Sequence, residues 1–177
     1  THGPSCFGAA DARIRAQAAG GTAPYSYTWA DGASGATRTG LGPGSYGIGV
    51  SDSLGCTTSE TVEIDAAAPL QLHFGSTSPT CYGSNDASLQ VQATGSQAPY
   101  VFAWSTGETG AELAGLAPGT YSVEAQDANG CVQTGETQIE EQDSLGISIE
   151  KTNVSCPGYN DGGLQAAVFG GTPPYTY

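Results

Sequence analysis

Apolar and polar residues alternate in short runs along this chain. Leu70, Leu72 and Phe74 alternate with Gln71 and His73, and Leu89, Val91 and Ala93 with Ser88, Gln90 and Gln92. Ile14, Ala16 and Ala18 alternate with Arg13, Arg15 and Gln17. Tyr25, Tyr27 and Trp29 share one parity, as do Tyr100, Phe102 and Trp104; Tyr46, Ile48 and Val50 share another, as do Tyr121, Val123 and Ala125. A period of two marks half-buried strands. A further strand runs from about Val132 to Ile139, and the stretch near Ala111–Leu113 reads as a weak edge strand. Gly, Pro, Asn and Asp clusters separate these runs, as turn chemistry requires. No segment carries a helical stripe, so the pattern predicts an all-β chain built as an antiparallel sandwich.

The runs recur. Cys6, Cys81 and Cys156 are each 75 residues apart, as are Gly8, Gly83 and Gly158, and Asp11, Asp86 and Asp161. Pro24-Tyr25, Pro99-Tyr100 and Pro174-Tyr175 keep that spacing, and Trp29 pairs with Trp104, Tyr46 with Tyr121 and Cys56 with Cys131. Internal repetition at a fixed period signals a tandem architecture. The register divides the chain into repeat 1 (1–69, lacking its first strand), repeat 2 (70–144, complete) and repeat 3 (145–177, an N-terminal fragment). We therefore expect these residues to be part of a longer array. Each repeat predicts about six strands. The Trp on an aromatic strand and the Leu-x-Pro-Gly-x-Tyr lead-in to Tyr46 and Tyr121 favour tandem immunoglobulin-like β-sandwiches joined end to end. Trp29, Trp104, Tyr25, Tyr100, Tyr46 and Tyr121 are the expected core aromatics.

Charge narrows the partners. Seventeen acidic residues face four basic ones, a net charge of −13. Nucleic acid and anionic membranes need Lys/Arg clusters, which are missing from this sequence. There is no run of 18 apolar residues, so no membrane-inserting helix is expected. No basic, then apolar, leader opens the sequence, and any signal peptide is expected to have been removed already. The acids are scattered, His2 and His73 do not repeat, and no nucleophile or phosphate-loop motif occurs, so no enzyme is expected.

Five cysteines fit the period as two pairs and one orphan. If the first strand of a sandwich lies beside the last, Cys6 pairs with Cys56 and Cys81 with Cys131, leaving the partner of Cys156 beyond Tyr177. Bonds from Cys56 to Cys81 and from Cys131 to Cys156 are the competing scheme, and buried free thiols a third. A domain of about 75 residues is marginal on its core alone, so a staple suits it and implies an oxidising, extracellular setting. Without a C-x-x-C and with non-equivalent histidines, zinc is disfavoured.

Together the motifs read Cys-x-Gly-x-x-Asp, Gly-Gly-x-x-Pro-Tyr-x-Tyr-x-Trp, Leu-x-Pro-Gly-x-Tyr and Asp-x-x-Gly-Cys. They stand at Cys6-Phe7-Gly8, Gly20 to Trp29, Leu41 to Tyr46 and Asp127 to Cys131. In the second copy Gly95-Ser96 replaces the Gly pair and Phe102 the second Tyr. This pattern resembles the SprB repeat of large bacterial surface adhesins. The resemblance implies a secreted protein of the bacterial cell surface, in gliding or biofilm-forming bacteria, that carries many tandem copies and acts as an adhesin or filament. It implies no catalysis and no cofactor, and brings no established ligand residues.

Several residues remain candidates for chemistry. Asp11, Asp52, Asp86 and Asp127 (with Asp161 in the fragment) are candidate Ca²⁺ ligands if the cysteine pairs gather them at one end, against the simpler reading of Asx turns. Phe7, Tyr82 and Tyr159 fall outside the core parity and are candidate contact aromatics, for polysaccharide, a solid surface or a neighbouring repeat. Ser53 and Ser144, in Asp-Ser-Leu triplets, are candidate O-glycosylation sites, and Asn153-Val154-Ser155 matches the N-glycosylation triplet. Three functions follow: a stalk of tandem repeats, a filament of identical chains packed through the repeats, or a carbohydrate-binding module of a secreted protein.

Overall fold

The computed structural model describes residues 1–176. Among them lie thirteen β-strands and no helix. The chain forms two compact units. Unit 1 comprises Thr1–Leu72, Ala93–Val101 and Ala125–Gln133; unit 2 comprises His73–Gln92, Phe102–Glu124 and the described part of Thr134–Tyr177.

In repeat 1, β1 (Ala12–Arg15) pairs with β3 (Thr37–Leu41), while β2 (Ser26–Trp29), β4 (Gly44–Ser51) and β5 (Thr57–Ile64) form a second sheet in the order β2-β4-β5. The printed pairings are antiparallel. Ala12, Ile14 and Leu41 of the first sheet pack with Trp29, Ile48 and Ile64 of the second as one buried cluster. Every second residue points inward from each sheet, so the two sheets close on each other as a sandwich. No named strand precedes β1. His2 alone bridges Arg13, giving and receiving one backbone hydrogen bond at 2.8 and 2.9 Å.

Repeat 2 carries six strands: β6 (Gln71–Thr77), β7 (Ala87–Thr94), β8 (Val101–Trp104), β9 (Glu112–Leu116), β10 (Gly119–Gln126) and β11 (Val132–Ile139), in sheets β6-β7-β9 and β11-β10-β8. The weak strand expected near Ala111 is thus a regular edge strand, β9. Leu89, Val91, Leu113, Trp104, Val123 and Ile139 are buried in it by the same alternation. In repeat 3, β12 (Gly146–Thr152) pairs antiparallel with β13 (Gly163–Phe169). A bulge recurs on the edge strand, where Ala12 opposes Leu41 but Arg13 opposes Thr39. The skipped residue, Gly40, has φ 70°, which only glycine adopts without strain; Gly115 at φ 71° repeats it.

The tryptophans are core residues: Trp29 and Trp104 are 2% and 4% exposed, and their indole N–H groups donate to Gly35 O and Gly110 O. Phe74 of β6 packs edge-on against Trp104, whereas in repeat 1 the Arg38 guanidinium lies over Trp29. The tyrosines correct the expectation. Tyr25, Tyr100, Tyr46 and Tyr121 are half-buried, not core. A phenol O–H needs a partner once covered, so each sits at the sandwich margin and reaches a carbonyl. Tyr46 and Tyr121 donate to Gly42 O and Ala117 O, four residues upstream, each at 2.8 Å. That is the tyrosine-corner geometry. Tyr25, Tyr100 and Tyr175 donate to the carbonyls of Gly20, Gly95 and Gly170.

Candidate functional site

The cysteines and the aspartates lie on two kinds of loop, one at each end of a repeat. The first loop precedes β1, β7 or β13. Asp11 accepts from Ser5 N at 2.9 Å and from the Ser5 hydroxyl. Asp86 accepts in the same way from Thr80 N and Oγ1, at 3.0 and 2.6 Å, and Asp161 from Ser155 N at 3.0 Å. Cys6 O, Cys81 O and Cys156 O each accept the N–H three residues on. All three first loops therefore hold one conformation.

The second loop opens β5 or β11. Asp52 Oδ1 accepts from Leu54 N and Cys56 N, both at 2.9 Å, and its Oδ2 from Thr22 N at 3.1 Å. Asp127 Oδ1 accepts from Asn129 N and Cys131 N, at 2.9 and 2.7 Å, and its Oδ2 from Gln97 N and the Ser96 hydroxyl. Ser96, the substitute for the second Gly, has φ 48° and uses its hydroxyl on Asp127.

These carboxylates cap turns, the role that was weighed against calcium. Their loops also lie at opposite ends of a repeat, so the expected gathering of Asp11 with Asp52 does not occur. Among the described residues no three His, Cys, Asp or Glu side chains come together as a metal site. The hydrogen bonds hold every one of these acids below the usual carboxylate range. The largest contribution is the Ser5 hydroxyl for Asp11, Cys56 N–H for Asp52 and the Thr80 hydroxyl for Asp86. For Asp127 and Asp161 it is the Ser96 and Ser155 hydroxyls. A carboxylate with a depressed folded pKa adds stability that is complete above its unfolded value, about 3.9, and lost as pH falls through the folded value. Thermal midpoints are accordingly expected to stay level from about pH 7 to 5 and to fall below about pH 4. Melts that hold level down to about pH 2.5 would show that the caps carry no linkage.

The disulfide overturns the expected pairing. Cys6 bonds Cys131, with Cα atoms 5.6 Å apart, and Cys56, Cys81 and Cys156 are free and exposed. Neither Cys6–Cys56 nor Cys81–Cys131 forms. The reason is strand direction. Ala12, at the start of β1, lies opposite Leu41, and the chain then passes directly into Gly44, which lies opposite Ile64 at the end of β5. Cys6 thus sits at the end of the sandwich where β5 finishes, while Cys56 precedes Thr57, where β5 begins. An eight-residue strand spans about 25 Å, and a disulfide tolerates about 7 Å between Cα atoms.

The partner of Cys6 is instead the second loop of repeat 2, held in unit 1. Asn129 Nδ2 donates to Ser5 O at 3.2 Å beside the bond. Asp127 is 5% exposed there, whereas Asp52 is only half-buried. The linker before repeat 2 packs within the same unit, where a Cβ on Gly95 would collide with Pro69 O; in unit 2 the next linker repeats the contact, Gly170 against Ser144 O. Sequence reasoning missed this contact, although the motif comparison had singled out Gly95.

The other candidates lie at the surface. Phe7, Tyr82 and Tyr159 are 65%, 64% and 62% exposed. Ser53 is exposed, its hydroxyl donating to Thr22 O at 3.1 Å, and Ser144 is exposed on the linker.

The family model for the SprB repeat matches residues 3–34, 75–109 and 148–177, more than half of the chain. No curated protein sequence matches. Among solved structures, the amphioxus IgVJ-C2 molecule is similar at 15% identity and a TM-score of 0.32, over 78% of this chain and 98% of that one.

Proposed function

Because the chain belongs to the SprB-repeat family, we propose that it is a repeat region of an extracellular bacterial surface protein, the stalk of an adhesin. The observation that carries this is the joint. Repeat 1 is tied to repeat 2 by a covalent bond, a buried turn cap and a linker fitted against glycine. Such ties suit a module whose task is to transmit tension along a chain. The disulfide fits an oxidising compartment outside the cytoplasm. The excess of acid keeps copies from collapsing on one another.

Adhesive contact is assigned to the first loops. Each copy offers one exposed aromatic ring, Phe7, Tyr82 or Tyr159, on a backbone held by an Asp cap. An aromatic face with a fixed backbone loses little entropy on contact with a polysaccharide or solid surface, and repetition adds weak contacts by avidity. The reading tests directly on cells that carry the protein. Fab fragments raised against the chain are expected to label intact cells and to lower their attachment to glass. Labelling that appears only after permeabilisation, or attachment that is undiminished at saturating Fab, would overturn it.

A further inference from the structure

We propose that one disulfide register runs through the array: the first Cys of each repeat bonds the second Cys of the next, and the Cys81 loop is the docking site for the Asp-x-x-Gly-Cys turn of the following repeat. Cys6–Cys131 is the bond of this type within the chain. The remaining thiols are those whose partners the register places in other repeats. Cys56 is a second Cys and takes the first Cys of a preceding repeat. Cys81 and Cys156 are first cysteines and take the second Cys of a following one.

Both halves of the joint are already formed where no bond exists. The Cys81 loop, capped by Asp86, matches the bonded Cys6 loop, capped by Asp11, bond for bond. The Cys56 turn, capped by Asp52, matches the bonded Cys131 turn, capped by Asp127. The free thiols are exposed, and their loops need no rearrangement. The linkers agree as well, since Ser144 meets Gly170 in unit 2 as Pro69 meets Gly95 in unit 1. Around Cys81 this leaves a groove of about 810 Å³, lined by Tyr82, Asp143, Leu145, Gly171 and Tyr175; Phe7, the counterpart of Tyr82, stays 65% exposed beside the bonded turn, so a docked turn leaves this ring free for contact. Gly83 N donates to Glu141 Oε1 at 3.1 Å and fixes the loop to the linker. The occupant is set by continuity with the bonded joint: a turn of the Asp127–Cys131 type.

Bond formation needs a disulfide oxidant such as oxidised glutathione. One protein thiol loses its proton, and the thiolate attacks the oxidant's S–S bond and expels one glutathione thiolate. The second protein thiolate then attacks the mixed disulfide and expels the other. Two protein thiols are oxidised, one small disulfide is reduced, and the expelled thiolates take up the two protons.

The register has a mechanical consequence that a bond within each repeat lacks. A loop from Cys6 to Cys131 and the next, starting at Cys81, share the residues from Cys81 to Cys131. On the shortest covalent path the overlapping loops leave one stretch of the Val132–Ser155 kind in every two repeats, half as many as bonds within each repeat would leave. Bonds of the Cys6–Cys56 type would leave residues 57–80 unprotected in every period.

The test extends the full chain after Tyr177 with a copy of residues 103–142, which continues repeat 3 in register. The extended and unextended chains are oxidised with glutathione disulfide, alkylated with iodoacetamide and mapped by proteolysis and mass spectrometry. In the extended chain Cys81 is expected to be joined to the appended copy of Cys131, with Cys6–Cys131 retained and Cys56 and Cys156 alkylated. A bond from Cys156 to the appended Cys, or a Cys81 that stays alkylated beside a protease-resistant appended segment, overturns the proposal. Should that segment not fold, the unextended chain decides. Cys6–Cys131 with three alkylated thiols upholds the register, and Cys6–Cys56 or Cys81–Cys131 overturns it.

Discussion

Pulled by its two termini, the reduced chain is expected to lengthen by roughly 430 Å more than the oxidised chain, at about 3.3–3.6 Å per extended residue. The bond between Cys6 and Cys131 closes 125 residues into a loop. Tension entering at Thr1 crosses from Cys6 to Cys131 through sulfur, so the repeat 1 sandwich and strands β6 to β10 of repeat 2 carry none of it, and β11, which follows Cys131, does. Only residues 132–177 and the first few are free to extend. In the chain-entropy account the same closure stabilises the fold by about 5 kcal/mol, since the unfolded chain loses freedom that grows with loop length. Optical-trap extension with and without dithiothreitol measures the first effect, and denaturant melts of the chain and of Cys6→Ser the second. Equal contour release in both redox states would show that the bond does not close in the folded protein.

Why this bond escaped the sequence, when so much else was legible in it, is a matter of direction. Period-two alternation is a local property, and it located β4, β7 and β10 and the two buried tryptophans. The 75-residue register is arithmetic on residue identities, and one family match falls in each copy it defines. A disulfide depends on which end of a sandwich each loop occupies. The expected pairing took the first strand's exit and the last strand's entry to share one end. In repeat 1 the loop before β1 instead lies where β5 finishes. In repeat 3 the start of β12 lies beside the end of β13. The first and last strands of a repeat therefore run the same way, and exit and entry are at opposite ends. Both schemes put Cys residues at the same sequence spacings, so spacing could not separate them. The tyrosines failed for a related reason. Parity tells which face a residue occupies but not how near the margin it lies, and Tyr46 sits where its hydroxyl meets Gly42 O.

Gly95→Ala is expected to cost about 3–4 kcal/mol, and Gly20→Ala only about 1–2, although the two glycines are counterparts with nearly the same backbone. Their φ angles are 76° and 78°, so an L side chain meets the same left-handed penalty at each. What differs is the neighbour. A methyl group on Gly20 meets nothing within 4 Å, while one on Gly95 would collide with the Pro69 carbonyl oxygen of the linker. That atom is backbone and cannot rotate away as a side chain would. Relief requires moving the linker, and with it Leu70, which is 8% exposed. A kcal/mol lowers the midpoint by about 2–4 °C in a chain of this size, so the two variants separate by roughly 4–8 °C. The excess measures the joint alone, because the left-handed cost cancels between them. Gly170→Ala, facing Ser144 O in the same way, is expected to follow Gly95 rather than Gly20. Equal losses at Gly20 and Gly95 would mean that the linker does not pack against the repeat, and with that the case for a joint fixed by more than its disulfide would fail.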